Sequence, residues 1–273
     1  MIQSILVAMV LLQAPESADP AAGAVPAGAR AAGRLQYVVA QLLQDGFTQQ
    51  EVEALFQDRR LALLPPQQVQ PRAIDWDQVI RTLEAAASVA QGSEFLARYQ
   101  ITLSQVESKY GVDRMLLTAV LRLESNLGKN TGNYVAFNVF YTLLSQQEEE
   151  RRWRWAGDNL AALATYCKRS ASDCFQIRGS YAGALGAAQF LPYSVREYGA
   201  DGNGDGVVDP FNMEDAIVSA ANFLEQHGWD DDPTEALAQY YGSPRGYPRA
   251  VFAYAEALKA AATAAQTTQS SQQ

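Results

Sequence analysis

Apolar residues recur every three to four positions along most of this chain, so helices are the predicted elements nearly throughout. Leu35, Val38, Val39, Leu42 and Leu43 form one apolar stripe. Gly46 supplies a stop for that helix. Thr48 and Glu51 are spaced as a capping box for a second helix, with Phe47 and Val52 placed as its hydrophobic staple. The segment "VVAQLLQDGFTQQEVEALF" therefore predicts a helical hairpin. Helical patterns also cover 76–89, 95–110, 114–123, 215–227, 234–240 and 248–264, and another spans 141–169 with a break expected at Gly157. "LLPPQQVQP" reads as a spacer, and the polar "QTTQSSQQ" as a disordered tail. No internal repeat and little strand pattern is visible, so the predicted fold is mainly α.

One position breaks the pattern in "DRMLLTAVLRLESNLGK". Glu124 stands seven, four and three residues after Leu117, Val120 and Leu121, on the same helical face. An ionised carboxylate in an apolar wall is costly. Burial disfavours its charged form, and a pKa moved from about 4.3 to about 6 corresponds to roughly 2.3 kcal/mol. Such a group keeps a protonated fraction near neutrality, as a general acid requires. The plainer alternative is a buried Glu paired with Arg122 or Lys129.

Composition narrows the classes. The chain has 273 residues, 48% hydrophobic and 19% charged, with a formal net charge of −9. That balance disfavours nucleic acid, which rewards basic surfaces, and so disfavours reading the hairpin as a DNA-binding helix-turn-helix. The single His, His227, cannot build a His-rich zinc site, and its place before Gly228 fits a helix C-terminus. The apolar run 5–12 is too short for a membrane span and resembles a signal-peptide core, although no Lys or Arg precedes it. Export to the periplasm or cell envelope is the expectation. Cys167 and Cys174 flank "KRSASD", a polar run that reads as a turn. On one continuous helix they would lie too far apart to bond, whereas a turn allows a disulfide and an oxidising compartment favours it. Two unpaired thiols is the alternative.

Chemistry concentrates in "GSYAGALGAAQFLPYSVREYGADGNGDGVVDPFNMEDA". Gly179, Gly183 and Gly186 permit close backbone approach, and Gln189 stands among apolar neighbours where a buried amide needs partners. Further on, Asp201, Asn203, Asp205 and Gly206 fill positions one, three, five and six of an EF-hand calcium loop. Val207 would offer a carbonyl, and Asp209 a direct or water-mediated contact. Position twelve is Asn212 rather than Glu, and Asp215 is the candidate to close the site.

With these motifs in order, the chain resembles the B-type lytic murein transglycosylases, over roughly residues 33–262. The resemblance rests on "LRLESNLGKNTGNYVAFNVFYTL", the Gly/Gln and calcium-loop segment through "FLEQHGW", and the N-terminal hairpin. It implies a lysozyme-like helical catalytic domain acting on peptidoglycan glycan strands, with structural calcium. It places the catalytic acid at Glu124 and substrate contacts at Ser180, Gln189, Phe190, Arg151 and Arg152. It also places them at Tyr240, Tyr241 and Tyr247, where Tyr241 replaces a family Asn. The expected division is a signal and linker at 1–33, an N-terminal helical region at 34–94, the transglycosylase domain at 95–264 and a tail at 265–273. A monomer is expected, without a transmembrane helix.

Ordinary glycosidases use two carboxylates, and no second one has a clear claim here. A lytic transglycosylase needs none, because the C6 hydroxyl of MurNAc closes on C1 and gives a 1,6-anhydro sugar. Two rivals share these residues: a muramidase that admits water, and a non-catalytic wall-binding protein, for which Tyr241 is the best support.

Overall fold

The computed structural model describes residues 27–65, 73–242 and 246–270. The apolar run 5–12 lies outside them. Twelve helices are present among the described residues. α1 (Ala27–Gln44) and α2 (Gln49–Phe56) come first. The Thr48–Glu51 capping box forms at the start of α2. α3 (Trp76–Leu83), α4 (Ala86–Arg98), α5 (Gln100–Tyr110) and α6 (Arg114–Ser125) follow. α7 (Ala136–Gln146) and α8 (Glu150–Arg169) form the middle of the chain. α9 (Pro192–Tyr198), α10 (Met213–Gln226), α11 (Pro233–Tyr241) and α12 (Tyr247–Ser270) complete it. Two short strands, β1 (Tyr134–Val135) and β2 (Arg178–Gly179), pair antiparallel with Tyr134 opposite Gly179. Leu185 extends the patch by bridging Gly179 and Phe190.

Two apolar clusters organise these helices. One gathers Val79, Phe95, Leu103, Leu117, Leu121, Ile217, Leu237 and Tyr254, from α3 to α6 and α10 to α12. The other gathers Val38, Leu42, Phe137, Phe140, Leu160 and Leu163, from α1, α7 and α8. The expected boundary at 94/95 therefore falls inside α4, which belongs to the same core as α6. Close packing explains why: a Cβ at Gly92 would stand 2.5 Å from the Tyr254 hydroxyl and 2.6 Å from Leu258. The Tyr254 hydroxyl donates to the Ser88 carbonyl of α4 at 2.7 Å.

Three local expectations need correction. The patterns at 76–89 and 95–110 each span two helices, broken before Ala86 and at Tyr99. Periodicity records apolar spacing and cannot see the axis turn. The break expected at Gly157 falls instead at 147–149, between α7 and α8. Gly157 lies within α8 because α1 crosses there, and a Cβ would stand 3.0 Å from Tyr37. Finally, α12 continues to Ser270 through part of the segment read as a disordered tail. Each residue added to an established helix gains a backbone bond, and Thr263 and Thr267 also bond back to the carbonyls four residues earlier.

Cys167 and Cys174 are bonded, with Cα atoms 5.5 Å apart. α8 ends at Arg169, and the turn that follows, with Ala171 at φ 52°, returns the chain. Thiol titration of the purified, denatured, unreduced protein is expected to find none; two thiols per chain would contradict the pairing. His227 caps α10 with Nδ1 2.7 Å from the Phe223 carbonyl, and its ring stacks on Phe223 at 3.8 Å. No helix among the described residues is long and apolar enough to cross a membrane.

Candidate active site

α6 begins at a firm cap: the Asp113 carboxylate accepts from the N–H groups of Met115 and Leu116 at 2.7 and 3.2 Å. Seven apolar side chains of this helix and its N-terminal flank, from Val112 to Leu123, are buried. It stops abruptly at Asn126 and Leu127, both left-handed, with φ 54° and 58°. Two consecutive non-glycine residues in that region are strained and need support. Ser125 provides it, donating to the Ala187 carbonyl at 2.6 Å and accepting from the Gly128 N–H at 2.8 Å. The last turn of α6 is thus pinned to the segment that carries Gln189.

Glu124 sits on that last turn and is 7% exposed. Its Oε1 accepts a 2.6 Å bond from the Tyr247 hydroxyl. Burial pushes the carboxyl up to about 7, while the Tyr247 bond pulls the other way. Neither Arg122 nor Lys129 pairs with it: Arg122 donates to Ser88 and Gln91, and among the described residues Glu124 feels burial and the Tyr247 bond but no basic partner. The plainer alternative of a paired structural Glu is therefore not what this structure contains.

The raised pKa has a consequence for stability. Between about 4.5 and 7 the unfolded chain holds fewer protons at this position than the folded one. Stability contributed by protonated Glu124 is therefore full below 4.5 and lost as pH rises to about 7. The loss is roughly 3 kcal/mol. Glu124→Gln is expected to remove this slope and to melt above wild type at pH 8; identical pH–stability curves would contradict the burial.

The three tyrosines expected as substrate contacts lie beside Glu124. Tyr247, fully buried, opens α12. Tyr241 stacks on it with ring centroids 4.7 Å apart and 4° between planes. Tyr240 donates to the Ala188 carbonyl at 2.8 Å. Burial, then the Glu124 charge, raise the phenol pKa of each. The hydroxyls of Tyr241 and Tyr181 are buried with no hydrogen-bond partner among the described residues. Trp76 meets Tyr241 and Tyr247 edge-on at 5.9 and 6.4 Å. The sequence reading missed Trp76, since a Trp opening an amphipathic helix looks like any core residue.

The Gly/Gln segment folds back on itself. Ser180 is 9% exposed, and its Oγ accepts from the Ala184 N–H at 3.1 Å. Gln189 is left-handed at φ 51°, and its amide donates to the Gly186 carbonyl at 2.9 Å. Gly186, at φ 62°, lies so close to the Pro210 carbonyl that a Cβ would stand 1.7 Å from its oxygen. Phe190 was expected to contact substrate. Here its ring is 6% exposed and packs against Phe223 and Tyr240 at 5.8 and 5.6 Å, so it supports the site from the core. Arg151 and Arg152 lie on the first turn of α8. Arg152 pairs with Glu149 at 3.1 Å, and Arg151 is exposed. Neither contacts Glu124 in this structure.

The acidic loop is ordered by its own backbone. Asp201 accepts from the N–H groups of Gly204 and Gly206, both at 2.7 Å. Asn203 accepts from Asp205 N–H, and Asp205 from Val207 N–H. Asp209 accepts from Phe211 N–H at 2.9 Å and from the Tyr166 hydroxyl at 3.1 Å. Asp215, expected to close the site as a ligand, is fully buried. Its two oxygens accept from the N–H groups of Gly202, Asn203 and Asp209, so it anchors the loop from behind. The oxygen-only donors at alternate positions suit a hard cation in kind and spacing. Among the described residues, however, no three acidic side chains converge as a metal site.

The helices pack beside a small antiparallel sheet, with one buried carboxyl on the last turn of α6. The chain belongs to the transglycosylase SLT domain family, whose model matches residues 31–270. It is 29% identical over 163 residues to membrane-bound lytic murein transglycosylase B of Escherichia coli (strain K12). That match covers 59% of this chain and 45% of the relative, so the chain spans less than half the relative's length. The soluble lytic transglycosylase SltB1 from Pseudomonas aeruginosa shares the fold, with TM-score 0.73 at 21% identity, over 85% of this chain and 99% of that one. The Escherichia coli lytic transglycosylase Slt35 in complex with calcium does so too, with TM-score 0.70 at 20% identity, over 84% of this chain and 93% of that one.

Proposed function

We propose that this protein is a lytic transglycosylase that cleaves the MurNAc–GlcNAc β-1,4 bond of peptidoglycan and releases 1,6-anhydroMurNAc ends. The observation that carries this reading is Glu124: a carboxyl buried on the last turn of α6, bonded by the Tyr247 hydroxyl and raised by burial to about 7. Protonated Glu124 donates to the glycosidic oxygen as the bond to C1 breaks. The carboxylate it leaves then takes the proton of the MurNAc C6 hydroxyl as that oxygen closes on C1. Among the described residues no second carboxylate perturbs Glu124, which fits a reaction whose nucleophile belongs to the sugar. The buried hydroxyls of Tyr181 and Tyr241 leave polar groups for sugar atoms to satisfy. Ser180 and Gln189, in the glycine-rich segment, are proposed as further substrate contacts. The test is the chemical form of the sugar end released from purified sacculi: 1,6-anhydroMurNAc ends support the reading and reducible ends contradict it.

The loop from Asp201 to Asp209 is proposed to take calcium through Asp201, Asn203, Asp205, Asp209 and the Val207 carbonyl. Support comes from their spacing and from the calcium complex of the Slt35 relative. Bound calcium would neutralise the loop's carboxylates and stabilise the fold. A site filled to a hundredfold over its Kd adds about 2.7 kcal/mol, or roughly 5–10 °C in Tm for a domain of this size. Calcium is expected to raise the Tm of chelator-treated protein by that amount, and Asp205→Ala to abolish the rise. An unchanged Tm in wild type would remove the metal from the account. A periplasmic or envelope location is proposed with it, supported by the Cys167–Cys174 bond.

A further inference from the structure

Glu124 receives its hydrogen bond from one phenol, so what holds that phenol matters. Tyr247 follows Gly246, which is left-handed at φ 79°, and its ring is fully buried. Tyr241 covers one face, and the edge-on indole of Trp76, with 81° between planes, fixes the ring from the side. The same indole meets Tyr241 at 85°. One side chain therefore braces both tyrosines.

Trp76 is itself tightly seated. It opens α3 directly after the cap Asp75, whose carboxylate accepts from the Gln78 N–H at 2.9 Å. Its ring lies against the backbone of Gly246, where a Cβ would stand 2.3 Å from Cδ1 and Cγ. Only glycine permits that approach. Asp77, on the same turn, pairs with Arg249 of α12 at 2.5 Å. The start of α3 and the start of α12 are thus locked together at the residue that touches the acid.

We propose that Trp76 is a positioning residue, which wedges the Tyr247 ring in place and through it fixes the Glu124 carboxyl. The proposal rests on Glu124 being the acid. Trp76 acts through Tyr247 and does no chemistry itself. Without the indole, the Tyr247 ring gains freedom and water gains access to the carboxyl. The proton affinity of Glu124 then falls towards that of an exposed Glu. The groups facing Glu124 from α11 and α12 are the phenols of Tyr240, Tyr241 and Tyr247, all neutral at working pH.

The test compares Trp76→Ala, Trp76→Phe and Glu124→Gln on purified peptidoglycan, with melting curves alongside. Trp76→Ala is expected to lower kcat about 10²-fold with KM little changed, as for a reacting group displaced by about 1 Å. The alkaline limb of its pH–rate profile is expected to move about one pH unit towards acid. Trp76→Phe keeps an aromatic edge and is expected to recover most of both. Should Trp76→Ala fail to fold, Trp76→Leu keeps apolar bulk without an aromatic edge and carries the same readouts. A lowered Tm with kcat and the alkaline limb both unmoved would mean a merely structural Trp and overturn the proposal. If Glu124→Gln is inactive while the Trp76 variants behave as wild type, the positioning idea fails alone; an active Glu124→Gln removes the acid beneath it.

Discussion

Glu124→Gln is expected to lose turnover of purified peptidoglycan by about 10⁴-fold or more, while the protein stays folded and binds the polymer. The amide keeps the shape of the side chain and can neither give a proton nor take one back. One general acid or base contributes about 10²–10⁴-fold, and here one group performs both transfers, so the loss belongs at or beyond the upper end. The Tyr247 hydroxyl can still donate to the amide oxygen, so the site keeps its packing. Activity in the wild type should fall as pH rises past about 7, where the carboxyl loses its proton. Turnover by Glu124→Gln within tenfold of wild type would remove Glu124 from the mechanism.

Gly186→Ala is expected to have the largest effect on the fold. The residue is left-handed, which costs a side-chain-bearing residue about 1–2 kcal/mol. The new methyl would also stand 1.7 Å from the Pro210 carbonyl oxygen, so one backbone segment must move. Together these predict about 4 kcal/mol of destabilisation, or roughly 8–16 °C in Tm for a domain of this size. Two parts of the account are coupled here. Gly186 accepts from the Gln189 amide, and the neighbouring Ala187 N–H donates to Pro210 at the end of the acidic loop. Loss of activity should therefore accompany the loss of stability, together with a weaker response to calcium. A Tm within about 2 °C of wild type would contradict the close approach.

What the sequence disclosed follows the range of the interactions. The Thr48–Glu51 cap, the stop at Gly46 and the periodicity of α6 are settled within a few residues of chain, and all could be read directly. Glu124 was legible for the opposite reason: a carboxyl on an apolar face contradicts its own helix, and contradictions of that kind mark functional positions. The three tyrosines were legible only through the family resemblance, since spacing alone does not bring 240, 241 and 247 to residue 124. Gly157 was misread as a helix break because its reason is Tyr37, far away in sequence. Asp215 was expected to face a metal, yet it is buried and turned to backbone N–H groups, a choice made by the fold of the whole loop. Trp76 gave no local hint, because its importance lies in a contact with Gly246 across most of the chain.

Tyr241, where the family resemblance implies an Asn, favours the wall-binding alternative only if the protein fails to turn over substrate. A muramidase would use the same acid and differ only in admitting water. One measurement separates all three: mass spectrometry, with borohydride reduction, of the fragments that the wild-type protein releases from purified sacculi. The account predicts muropeptides ending in 1,6-anhydroMurNAc, one water lighter than hydrolytic products and inert to borohydride. Reducible MurNAc ends as the main product would contradict it in favour of a muramidase, and bound but undegraded sacculi would contradict it in favour of a wall-binding protein.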